Sequence, residues 1–176
     1  MTGDTGRPLC MQMCMLRASI SSRRPRHSQE TKKSMTTGQG RCVLGMVGSD
    51  KHNKGIRTIA RIFRDHGLEV VYIGEHNTSQ QLAAVAVHED ADFVGVSFSN
   101  GNYLARAAEI VGALDEAGGA DIAVVLGGLI HSEDVPELNR LGVAEAFGPT
   151  SSPEDILEAI DRLIERRRGT FETSNA

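Results

Sequence analysis

The stretch Cys42-Val43-Leu44-Gly45-Met46-Val47-Gly48-Ser49-Asp50-Lys51-His52-Asn53-Lys54-Gly55-Ile56-Arg57-Thr58-Ile59-Ala60-Arg61-Ile62-Phe63 reads as a strand, a loop and a helix in direct succession. Its first six residues are apolar without interruption, the pattern of a strand covered on both faces. Ile56, Ile59, Ala60 and Phe63 then recur at i, i+3, i+4 and i+7, which places them on one face of a helix. Between the two lies Asp50-Lys51-His52-Asn53-Lys54-Gly55, with a histidine two residues after an aspartate on a strand-to-helix loop.

The same unit recurs outward from there. Apolar runs at about 68–73, 92–97, 121–126 and 143–147 read as four more strands. The second helix follows Asn77-Thr78, which can cap it, and buries Leu82, Val85 and Ala86. The third buries Leu104, Ala107, Ala108 and Val111. The last opens with Ser152-Pro153-Glu154-Asp155, a capping residue, a proline at the first helical position and acids in the first turn. Five strand–helix units in alternation predict an α/β fold, a flavodoxin-like (Rossmann-like) five-stranded parallel sheet with helices on both faces and strand order 2-1-3-4-5. The expected division is an unstructured extension over 1–40, a domain over 41–168 and a flexible tail over 169–176.

Composition narrows the class of function. The chain has 176 residues, enough for one domain with a real core, and it contains no Trp. No run approaches the roughly 18 apolar residues of a membrane span. Residues 1–40 hold seven basic and two acidic side chains, so of the 19 basic and 23 acidic in all, 12 and 21 remain beyond them, a balance of −9. An acidic domain is a poor match for a phosphate backbone, which argues against nucleic acid. Cys10, Cys14 and Cys42 are an odd number without a secretory signal, which fits reduced thiols in a cytoplasmic protein. The Arg- and Ser-rich start resembles a transit peptide in composition, or marks an over-long start with Met35 as initiator.

In open parallel sheets ligands sit beyond the carboxyl ends of the strands, where the strand order reverses. Three loops converge there: the first with Asp50 and His52, the third Ser97-Phe98-Ser99-Asn100-Gly101, the fourth Gly127-Gly128-Leu129-Ile130-His131. The fifth strand ends beside them in Phe147-Gly148-Pro149-Thr150. A neutral imidazole binds transition metals, and a carboxylate on its other ring nitrogen fixes the tautomer. One histidine cannot hold a bare ion, so a metal at His52 has to arrive inside a cofactor. Paired glycines let a bulky ligand approach the backbone, and the Ser97 hydroxyl can bond a buried heterocycle. Taken singly, His52 reads as a capping or solvated residue and Gly127-Gly128 as a turn; their joint placement points to a site. His66, His76 and His88 read as solvated, and His131 either lines the crevice or begins a helix with Ser132.

Asp50-x-His52-x-x-Gly55, then Ser97, then Gly127-Gly128 resembles the D-x-H-x-x-G, S-x-L, G-G signature of cobalamin-binding domains. The resemblance spans 41–168, and the Val94-Gly95-Val96-Ser97 and Gly142-Val143 to Phe147-Gly148-Pro149 segments are similar to the carboxy-terminal domain or small subunit of methylmalonyl-CoA mutase-type enzymes. Two positions depart from it: Ser99 stands at the leucine of S-x-L, and Thr150 at a glycine that often follows Phe-Gly-Pro.

The resemblance implies cobalamin bound base-off, with His52 as the axial ligand to cobalt and Asp50 as its partner. It implies a nucleotide tail in the crevice near Gly55, Ser97, Ser99, Gly127, Gly128, Phe147 and Gly148. It further implies adenosylcobalamin as the cofactor and a large substrate-binding TIM-barrel subunit as the partner, since that barrel needs about 250 residues. The chain would then be the non-substrate-binding subunit of a carbon-skeleton mutase, an isomerase with no catalytic side chain of its own here and inactive alone. A corrinoid carrier for methyl transfer and a cobalamin-sensing module are the alternatives. A phospho-receiver is excluded by Ser97 at the place of its aspartate.

Overall fold

The computed structural model describes residues 40–49 and 52–174, with side chains up to 169. The extension, Cys10, Cys14 and Asp50 therefore lie outside the described residues. The elements run β1 Arg41–Gly45, α1 Lys54–His66, β2 Glu69–Tyr72, α2 Ser79–His88, β3 Phe93–Phe98, α3 Tyr103–Ala117, β4 Ala123–Gly128, α4 Val135–Arg140, β5 Val143–Phe147 and α5 Pro153–Ser174. All five strands are parallel in the order β2-β1-β3-β4-β5, as the sequence predicts.

Local chemistry sets the helix boundaries. Thr78 and Gln81 form a reciprocal capping box at the start of α2, and the Ser152 hydroxyl accepts from the Asp155 backbone N–H (3.1 Å) at the start of α5. The face of α3 differs from the expected one by a turn of about one residue: Tyr103, Ala107, Ile110 and Leu114 are buried, Leu104 and Val111 only partly, and Ala108 is exposed. Tyr103 decides this, since burying its ring covers more apolar area than Leu104 would. α5 continues past the expected domain end to Ser174.

Side chains alternate across the pleat, so each strand feeds two cores. Val43, Val94, Val96, Val124 and Leu126 pack under α2, α3 and α4. Cys42, Leu44, Phe93 and Val125 pack under α1 and α5, with Phe63 and Phe93 edge-to-face at 5.7 Å. On this second face the register aligns Leu44, Gly95, Val125 and Glu145 in one row and Ser97, Gly127 and Phe147 in the next. The far end of α5 is pinned by Arg167, whose guanidinium pairs with Asp90 (3.2 Å), Asp92 (3.2 Å) and Asp121 (2.9 Å). Of the histidines read as solvated, His66 is half-buried and contacts Asp161 across α1 and α5 at 3.0 Å. The apolar contact between those two helices brings that pair together, which the periodicity of either helix alone does not show.

Candidate functional site

The end of β1 is knitted to the loop after β2. Met46 N–H donates to the Gly74 carbonyl (2.9 Å) and Gly48 N–H to the Asn77 carbonyl (3.0 Å). The Asn77 side-chain amide donates to the Met46 (3.2 Å) and Gly74 (3.0 Å) carbonyls, and His76 Nδ1 meets the Gly48 carbonyl at 3.3 Å. Asn53, directly after His52, donates from its side chain to the Glu75 carboxylate. His52 is thus carried on a segment tethered to the neighbouring loop. Sequence reading missed this platform, because Asn77 looked only like a helix-capping neighbour of Thr78.

Across the switch point, β3 ends at Phe98 and its carbonyl accepts the Leu129 N–H at 2.9 Å. Gly128 makes that approach possible: its φ is +118°, and a Cβ there would lie 2.0 Å from the Phe98 carbonyl oxygen. The adjacent Gly127 is different, since a Cβ built on it meets nothing within 4 Å, and the same holds for Gly55. At Gly148 a Cβ would stand 3.0 Å from the Ile130 carbonyl. The Tyr103 hydroxyl donates to Asp134 (2.5 Å) and accepts from His131 N–H (3.3 Å), which holds the segment after β4. That hydrogen bond to Asp134, with burial, raises the phenol above its ordinary pKa.

Between α1 and α5, over the ends of β1, β3, β4 and β5, lies a cavity of about 570 Å³. Leu44, Ile59, Phe63, Phe93, Val125 and Ile156 form its apolar walls. Its polar groups are few: the Ser97 and Ser99 hydroxyls, His52, Lys54 and Thr58 near α1, and Ser151 near α5. Gly55, Gly127, Gly128, Phe147 and Gly148 line it too, so every sequence-predicted site residue among the described ones borders one space. His131 does not border it and instead precedes the short 3-10 turn Ser132–Asp134, the helix-start alternative. The wall residues were legible only as core, because the strand period assigns them a face but not an empty one.

Ser99 Oγ stands 3.0 Å from His52 Nδ1. No cluster of three or more potential metal ligands exists among the described residues. A volume of this size, apolar with a few convergent polar groups, suits an organic group larger than a metabolite fragment. Open backbone at Gly55 and Gly127 gives such a group room against helix and sheet alike.

A parallel open sheet with this cleft at its switch point and an imidazole at the rim defines a ligand-holding flavodoxin-like domain. Residues 40–158 match the B12 binding domain family, and the chain belongs to that family. It is 36% identical over 127 residues to the 2-hydroxyisobutanoyl-CoA mutase small subunit of Aquincola tertiaricarbonis, covering 72% of this chain and 93% of that one. It is 34% identical over 126 residues to methylmalonyl-CoA mutase of Rhizobium meliloti, covering 72% of this chain and 18% of that enzyme. Among solved structures, a cobalamin-binding protein from Desulfitobacterium hafniense shares the fold, with a TM-score of 0.61, 23% identity, and coverage of 70% of this chain and 58% of that one. No helix among the described residues is long and apolar enough to cross a membrane.

Proposed function

We propose that this chain is the cobalamin-holding small subunit of an adenosylcobalamin-dependent acyl-CoA mutase, with His52 as the protein ligand to cobalt. The observation that carries it is the placement of the His52 ring at the rim of the apolar cavity with Nδ1 engaged by Ser99. Likeness to a small subunit at 93% coverage supports the subunit reading, because a separately encoded partner then supplies the substrate site.

The residues divide the work. His52 would hold the cofactor's cobalt, with Asp50 as the partner of its ring. Gly55 and Gly127 would leave space in the cavity for the nucleotide tail, and Ser97, in the row with Gly127 and Phe147, would meet its heterocycle. The apolar walls exclude water from the tail and replace its hydration with close contact. When bound, the cofactor supplies radical chemistry through homolysis of its cobalt–carbon bond. The chain contributes no side chain to substrate, so alone it is silent.

The ultraviolet-visible spectrum of the chain with added cobalamin, beside His52→Ala, tests the ligand. A base-off, histidine-bound spectrum lost in the variant supports it, and indistinguishable spectra for the two proteins refute it. Mixed with a large subunit and adenosylcobalamin, the chain should permit isomerisation of an acyl-CoA. Isomerisation that proceeds equally well without this chain overturns the subunit assignment.

A further inference from the structure

We propose that Tyr103 is a positioning residue for ligand binding, its hydroxyl holding residues 127–131 in the shape that forms one wall of the cavity. This rests on the reading of the cavity as the cobalamin site and assigns a residue that lies outside it. Gly127, Gly128 and Leu129 border the cavity, whereas Tyr103, His131 and Asp134 do not. Tyr103 opens α3 and is only 1% exposed, so its hydroxyl has little access to water. A buried hydroxyl needs partners within the protein. It has one of each kind: it donates to the Asp134 carboxylate (2.5 Å) and accepts the His131 N–H (3.3 Å).

Those two bonds close one end of a short span whose other end is fixed by backbone. The Leu129 N–H donates to the Phe98 carbonyl at 2.9 Å, and a Cβ on Gly148 would stand 3.0 Å from the Ile130 carbonyl. The Asp134 N–H donates to the His131 carbonyl (3.1 Å), so the tyrosine grips both ends of one turn. Ile130, between the anchored positions, is 5% exposed and packs in the core, while Leu129 is 54% exposed at the cavity's edge. Supports of this kind set how precisely a binding surface is presented. Without the hydroxyl the hold on His131 is gone, and the span samples arrangements that leave the wall incomplete. A ligand that needs the complete wall then binds in proportion to the fraction of chains that have it.

The experiment titrates the full chain with hydroxocobalamin by absorbance and follows association by stopped flow, comparing the parent with Tyr103→Phe, Asp134→Asn, Gly127→Val and Arg167→Ala. Losing one such hydrogen bond leaves about one chain in ten with the wall in place, so Tyr103→Phe should bind about 10-fold more weakly. The loss should fall on the association rate, with dissociation near the parent's, because the bound wall is the same. Asp134→Asn still offers an oxygen to the hydroxyl and should bind like the parent. Arg167→Ala weakens the fold at the far end of α5 and should also bind like the parent. In the ligand-free chain, hydrogen exchange at the His131 amide should quicken in Tyr103→Phe, a local change that the general destabilisation of Arg167→Ala does not single out.

Parent-like affinity and association rate in a folded Tyr103→Phe, with Gly127→Val weakened, overturns the role of Tyr103 and leaves the cavity as the cobalamin site. Weakening of the same size in Arg167→Ala also overturns it, because binding then follows overall stability. Asp134→Asn as weak as Tyr103→Phe does likewise, since the bond from hydroxyl to oxygen is then not the cause. Should Tyr103→Phe fail to fold, Asp134→Ala, which keeps the ring, carries the same test. A parent chain that binds no hydroxocobalamin, alone or with a large subunit added, overturns the reading of the cavity and this one with it.

Discussion

Adjacent glycines with opposite physics provide a sharp test of the site. Gly127 faces open space, so Gly127→Ala meets nothing within 4 Å. In the chain without ligand it should be neutral or stabilising by about 0.5–1 kcal/mol, because alanine has less backbone freedom to lose in a strand than glycine. Gly128→Ala faces a left-handed φ of +118° and a Cβ placed 2.0 Å from the Phe98 carbonyl oxygen. A left-handed L-residue costs about 1–2 kcal/mol. Displacing Phe98 also breaks the Leu129-to-Phe98 hydrogen bond, worth about 1 kcal/mol. The sum is a loss of about 2–3 kcal/mol, a drop in urea midpoint of about 1 M or more for a slope near 2 kcal/mol/M.

For ligand binding the contrast reverses in kind. Gly127→Val places an isopropyl group in the cavity, and overpacking costs of about 1–3 kcal/mol translate to about 5- to 150-fold weaker cobalamin binding. The assays are urea unfolding without ligand and spectrophotometric titration with cobalamin. A Gly128→Ala chain as stable as the parent, or a Gly127→Val chain that unfolds early yet binds normally, would refute the division of labour drawn from the geometry.

Two further outcomes are expected. Arg167→Ala removes the partner of Asp90, Asp92 and Asp121 from a guanidinium only 11% exposed, and should destabilise the fold by about 1–3 kcal/mol, an amount between those of surface and buried pairs; an unchanged melting midpoint contradicts it. Burial pushes the Cys42 thiol up from 9.0 to about 12. With its folded pKa raised, Cys42 contributes stability that is complete below about pH 9 and is lost as pH climbs toward about 12. In a Cys10→Ser/Cys14→Ser background the remaining thiol should stay silent to a disulfide reagent at mildly alkaline pH until urea unfolds the chain, and rapid labelling of the native protein would count against its burial.

The sequence by itself determined the fold class and the residues at the rim of the site, while the strand order it suggested by likeness to flavodoxin-like sheets is what the structure has. Uninterrupted apolar runs such as Cys42–Val47 are too short for helices and alternate with helical stripes, so they read as central parallel strands, and loops after such strands meet at the switch point. His52, Ser97 and Gly127 were legible because loops carry polar and glycine residues that no core needs. Tertiary structure decided what pairing across distance creates. The buried face of α3 turned on burial of the Tyr103 ring, whose hydroxyl reaches Asp134, 31 residues away. The different duties of Gly127 and Gly128 follow from which one meets the Phe98 carbonyl. The cavity is lined together by Ser97 and Gly127 of the sheet and Phe63 and Ile156 of the two helices above it, and the contact of Ser99 with His52 joins positions 47 residues apart. Periodicity assigns a residue to a face, but only packing shows whether that face is filled.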